Sequence, residues 1–165
     1  MSQTTRIAAS VQIVKQTAPD GGDAKATQIA SFLADLATGT GSGQADVGFV
    51  DTDRALASNT SEDFDVANSL TDALGVSVVC AKVKAIMIKA ADANTTDLTI
   101  GGASAELLAF FAATGDKLIL KPGDCLLAYS KAGWAVAAGT ADDLKIANAT
   151  GATAHFDIAI VGTSA

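Results

Sequence analysis

The chain has 165 residues and a mass of 16.4 kDa, room for one domain or one domain plus an arm. An apolar fraction of 49 % against 18 % charged residues excludes a disordered chain, and a net charge of −7 argues against a surface that grips nucleic acid or an anionic membrane. No apolar run approaches the ~20 residues of a membrane helix. The opening Met1–Arg6 leads into a broken apolar stretch rather than a secretory signal, so synthesis in a cytoplasm is expected.

Residues 1–38 read as an arm or subdomain. Val11 and Ile13 flank Gln12, a short strand signal, and Pro19-Asp20-Gly21-Gly22-Asp23 is a turn. Ile29, Phe32, Leu33 and Leu36 fall at helical spacing with Gly39 placed as a stop, which predicts a short amphipathic helix; an extended segment is the alternative. Gly39-Thr40-Gly41-Ser42-Gly43-Gln44 reads as a flexible joint. Too short to form a core alone, the arm must bury Val11, Ile13, Val14, Ile29, Phe32 and Leu33 on its own body or on a neighbouring subunit, and a swinging joint favours the neighbour.

Residues 45–165 read as an all-β, jelly-roll-like sandwich. Thirty-five alanines would favour helix, yet they sit among Thr, Val, Ile and glycine turns that do not sustain one. Short period-2 segments recur between turns, which predicts a core of Phe64, Val66, Val78, Ile86, Ile88, Leu98, Ile100, Leu118, Leu120, Leu144, Ile146, Phe156, Ile158 and Ile160. Val76 to Ala91 reads as one long central strand. Lys82 and Lys84 share a parity that Lys89 lacks, so either both faces are covered from Ala85 to Ile88 or a bulge shifts the register there.

Candidate chemistry is thin. The Gly39–Gly43 stretch lacks the Lys and Ser/Thr of a phosphate loop. His155 and Asp157 share a strand face, but neither Ser42 nor Ser104 lies in a nucleophile turn, and the pair reads as solvent-facing. Cys80 and Cys125 read as two buried thiols, and one His with two separated Cys builds no zinc site. Asp46, Asp51, Asp53, Glu62, Asp63 and Asp65 crowd one stretch. Calcium binding and carboxylate-pair glycoside hydrolysis are the alternatives there to an acidic rim facing solvent or a basic partner, which is the default reading. Trp134 after its turn reads as a core or interface plug. Phe110 and Phe111, adjacent on a presumed strand, should point to opposite faces and put one ring at a contact.

From Gly39 onward several phrases carry a resemblance: Gly39-Thr40-Gly41-Ser42-Gly43-Gln44-Ala45-Asp46, Asp51-Thr52-Asp53-Arg54, Glu62-Asp63-Phe64-Asp65, Ser69-Leu70-Thr71-Asp72-Ala73-Leu74-Gly75, Leu120-Lys121-Pro122-Gly123 and Ala135 through Asn148. They resemble small structural proteins of tailed bacteriophages and prophages that are similar to capsid decoration (cement) proteins. The resemblance implies a non-enzymatic protein on the capsid surface of a virion, made in the host bacterial cytoplasm. Its expected partners are the major capsid protein or other virion proteins and further copies of itself, with no nucleic acid, membrane, cofactor, metal or catalytic residue. It also implies an extended segment before the joint. The interface candidates are Val11, Ile13, Phe32, Leu33, Phe110 and Trp134. The alternative is a tail-associated structural or receptor/carbohydrate-binding module with Trp134 and Tyr129 as platforms.

Overall fold

The computed structural model describes residues 3–17, 24–107 and 109–165, and every regular element among them is a β-strand. The turn expected at Pro19–Asp23 lies outside the described residues. The body pairs β3 (Val47–Leu56), β7 (Lys82–Ala90), β10 (Cys125–Ala135) and β12 (Ala154–Thr163) in one antiparallel sheet of order β10-β7-β12-β3. The facing sheet takes β4 (Ser61–Asp65), β8 (Leu98–Gly101), β9 (Lys117–Leu120) and β11 (Asp143–Asn148) in the order β4-β11-β8-β9. A small pair, β5 (Leu70–Thr71) and β6 (Ser77–Val78), sits in the connection from β4 to β7.

Alternation does the sorting. Phe156, Ile158 and Ile160 of β12 point inward with Ile86 and Ile88 of β7, and meet Phe64, Leu98, Ile100, Leu144 and Ile146 of the facing sheet in one buried cluster. Each such side chain withdrawn from water contributes about 1.5–3 kcal/mol, so the two inner faces hold the sandwich together. Phe64 joins them through ring contacts with Phe49 and Phe156.

Leu118 departs from the expected core. It pairs with buried Ile100, but β9 is an edge strand at the open rim, and Leu118 stays 43 % exposed. The stretch Val76–Ala91 is not one strand. Ser77–Val78 pairs with β5, the Cys80 and Ala81 amides bond the Val66 and Thr163 carbonyls, and β7 begins afresh at Lys82. The lysine parity is resolved by a bulge, at Lys84: Ala85 pairs with Val161 and Val83 with Gly162, leaving Lys84 unpaired between them. Phe110 and Phe111 lie on no strand. Their amides both bond the Leu107 carbonyl in a turn, so Phe111 is buried while Phe110 stands edge-on to it and to Trp134.

The arm is a β-hairpin. β1 (Thr5–Thr17) and β2 (Ala24–Leu36) pair antiparallel in unbroken register from Thr5↔Leu36 to Thr17↔Ala24. This corrects the helix expected at Ile29–Leu36. Eight residues with Ser31 among them would hold few helical bonds and no nucleus of their own, whereas pairing with β1 gives the segment's backbone a continuous ladder. The helix-like spacing arises because Phe32 and Leu36 lie on one face of the ribbon and Ile29 and Leu33 on the other.

Candidate assembly surface

The two strands of the arm have 13 residues each, which makes a ribbon roughly 40 Å long. Opposed residues share a face. One face carries Ile7/Ala34, Ala9/Phe32, Val11/Ala30 and Ile13/Gln28; the other carries Arg6/Asp35, Ala8/Leu33, Gln12/Ile29 and Val14/Thr27. Only the base is covered. Ile7 and Leu36 are buried with Ala45 and Ala85 against Tyr129 and Val161, and the Phe32 ring meets Tyr129 at 5.1 Å. Beyond the base Val11 and Ile29 are each 63 % exposed, and Ile13, Val14 and Leu33 are exposed with them. Four of the six sequence-derived interface candidates, Val11, Ile13, Phe32 and Leu33, thus stand on this one element. Phe110 and Trp134 lie together elsewhere, half-buried on the rim of the body's core.

The arm is fixed where it leaves the body. The glycine-rich segment expected to be a flexible joint is a hydrogen-bonded turn: the Gly39 amide bonds the Ala45 carbonyl, the Ala45 amide the Ala37 carbonyl, and the Gly43 amide the Lys131 carbonyl. Lys84, bulged out of β7, runs into this turn. It is only 1 % exposed, and its ammonium donates to the carbonyls of Ala132 at 2.7 Å, Lys131 at 3.1 Å and Gly41 at 3.3 Å. Burial, and then Lys82, hold its pKa below the usual lysine value. The contact also fixes Gly133, which has a φ of +92°; a Cβ there would stand 2.9 Å from the Lys82 Cβ and 3.1 Å from the Lys84 Cδ. Sequence reading did not find this clamp, although the lysine parity of β7 was its signal.

Beside the base, the outer face of the β10-β7-β12-β3 sheet has a second apolar row. Val50, Ala159, Met87 and Leu127 are direct cross-strand neighbours, one pair beyond the row Gly48–Val161–Ala85–Tyr129 over which the arm's base packs. This row, with Ala85 and Val161 of the other and Thr5–Ala8 of β1, lines an open trough of about 300 Å³. The next row out, Asp157–Lys89–Cys125, is polar. A charge pair also stands on the arm, where Arg6 and Asp35 are 2.7 Å apart.

The acidic cluster does not converge. Arg54 takes Glu62 on two donors and Asp51 on a third, and lies 5.3 Å from the Phe64 ring centre, so this set bolts β3 to β4. Both carboxylates hold the Arg54 guanidinium still more firmly protonated, the Glu62 hydrogen bond most. These three groups line a recess of about 590 Å³ together with Asp63 and Asp72. Asp46 instead holds the amide and hydroxyl of Ser164, and Asp65 accepts from the Ala67 and Asn68 amides. The Asp53 carboxylate oxygen is the acceptor 2.8 Å from His155 Nδ1, and the Asp53 amide donates to the Asp157 carboxylate. Among the described residues no three His, Cys, Asp or Glu side chains are grouped to hold a metal ion. Opposite Asp65 on β11, burial and the neighbouring Asp142, Asp63 and Asp65 raise the Asp143 pKa above the usual aspartate value.

The two thiols are free and differ. Cys80 is buried, and burial with a smaller push from Asp46 raises its pKa to about 12; Cys125, on edge strand β10, is exposed, which corrects the expectation of two buried thiols. Comparison with protein-family models, with curated protein sequences and with solved structures yields no match.

Proposed function

We propose that this chain is a structural protein of a tailed-bacteriophage particle, a decoration protein that binds the assembled head and is fastened there through its β-arm. The single observation that carries this reading is the arm itself: a long ribbon, anchored at its base, with exposed apolar side chains on both faces beyond it. A two-stranded ribbon of that kind is marginal in water by itself, and its cover must come from another surface. The phrases from Gly39 to Asn148 supply the link to phage structural proteins. The strand orders β10-β7-β12-β3 and β4-β11-β8-β9 support reading the sandwich as a jelly roll, an architecture common in capsid proteins. No catalytic role is assigned to any residue in this reading. The tail-module alternative is less favoured because neither aromatic platform stands free: Tyr129 is taken by Phe32 and Trp134 by Phe110.

The test is co-expression with the major capsid protein of the phage or prophage that carries this gene, followed by sedimentation of assembled shells. The full chain should travel with shells and not with unassembled head protein. A variant in which Ser10 is joined to Ser31 through an Asn-Gly turn keeps the base of the arm, Phe32 included, and should stay in the supernatant. Failure of the full chain to bind shells would overturn the proposal.

A further inference from the structure

We infer that the exposed half of the arm seats on a second copy of this chain, in the trough formed by Val50, Ala159, Met87 and Leu127 beside the base of that copy's own arm. The inference rests on the arm's being the attachment element, and names what it attaches to first. One face of the ribbon is already matched to this sheet: Ile7, Leu36 and Phe32 pack over the row that holds Val161, Ala85 and Tyr129. Farther out, the same face continues as Ala9, Val11, Ala30 and Ile13, small and branched apolar residues without a charge. On the sheet, the next row out is equally uncharged and equally apolar. In its own molecule the arm borders that row with Thr5–Ala8 alone, and its ladder carries Ala9–Ile13 onward without interruption.

Charge favours the same occupant. Residues 1–38 contain Arg6, Lys15 and Lys25 against Asp20, Asp23 and Asp35, a net charge of zero, so the whole charge of −7 lies on the rest of the chain. Two bodies repel each other, whereas a neutral arm meets a trough whose one charged lining residue, Arg6, is paired with Asp35. The free edge of β1 at Thr5–Ala8 borders the trough and offers backbone groups to an incoming strand. On the seating face Val11, Ile13 and Phe32 are exposed, and Val14, Ile29 and Leu33 stand on the opposite face. Exchange in both directions doubles the area buried and closes the assembly, and the opposite face, with Val14, Ile29 and Leu33, is left for the head.

Light scattering on the eluting full chain tests this against two variants, Val11→Asp with Ile13→Asp on the arm and Val50→Asp in the trough. All three positions are exposed, so circular dichroism and melting temperature serve as controls that the body is intact. The parent should run as a closed multiple of 16.4 kDa, and each variant as a 16.4 kDa monomer at the same concentration. A parent that stays monomeric at every concentration would overturn the inference while leaving head binding to its own sedimentation test. Persistence of the oligomer in the arm variant would remove the arm from the contact. Its persistence in Val50→Asp alone would show that arms meet somewhere other than the trough.

Discussion

Replacing Lys84 by Met should loosen the root of the arm more than the body. The side chain keeps its length and burial but loses the ammonium, leaving the Gly41, Lys131 and Ala132 carbonyls without their shared donor. A hydrogen bond from a charged group contributes about 1.5–3 kcal/mol, yet burying an ammonium costs several kcal/mol, and all three carbonyl-bearing residues are exposed enough for water to substitute in part. The net loss should be about 1–3 kcal/mol, a fall in melting temperature of roughly 3–10 °C for a domain of this size. The pKa of Lys84 is depressed by folding, so the folded state sheds this proton before the unfolded state does. Parent stability gains from that group as pH rises between the depressed value and the ordinary lysine value of 10.5. The deficit of Lys84→Met should therefore widen toward alkaline pH. Thermal melts across pH, with hydrogen exchange read over residues 37–45 and 130–134, provide the assay. An unchanged or raised melting temperature with unchanged exchange at the turn would refute the clamp.

Arg54→Ala should remove the ties to Glu62 and Asp51 and the stacking on Phe64, at about 1–2 kcal/mol in chemical denaturation, with part of the effect lost in high salt. Asp143→Asn should raise the melting temperature at neutral pH, since it relieves facing carboxylates on β4 and β11. Folding raises the pKa of Asp143, so its charge cost is full above that raised value and vanishes below the ordinary aspartate value of 3.8, where parent and variant should melt alike. A thiol reagent at pH 8 should label Cys125 in the folded protein and Cys80 only after denaturation, read by mass. Two labels under native conditions would contradict the burial of Cys80.

Alternation and turns sufficed for the body because each strand from β4 to β12 that they identified buries one side and wets the other. Phe156, Ile158 and Ile160 against His155, Asp157 and Ala159 is the clearest case. The pattern fails where burial is not one-sided. Leu118 has inward parity but sits on a rim strand, a position that depends on strand order and not on local sequence. Ile29, Phe32, Leu33 and Leu36 satisfy helical spacing and a two-faced ribbon equally well, and only the complementary segment Thr5–Gln12 decides between them. The interface candidates on the arm were legible as apolar residues with too little chain to hide in. The Lys84 clamp was half legible: the parity conflict called for a bulge, but its carbonyl partners come from 41 and 131–132, more than forty residues away. The trough was invisible, since Val50, Met87, Leu127 and Ala159 become neighbours only when four separate strands align.

Amide hydrogen exchange on the free protein and on the protein bound in its particle tests the assembly role of the arm most directly. In the free, dilute chain, peptides covering Ala9–Gln16 and Lys25–Leu33 should exchange quickly, while β7 and β12 stay protected. On incorporation the arm peptides should become protected at least tenfold, with Val50 and Met87 peptides slowing alongside them. Arm amides that exchange as fast in the particle as in free solution would contradict the account.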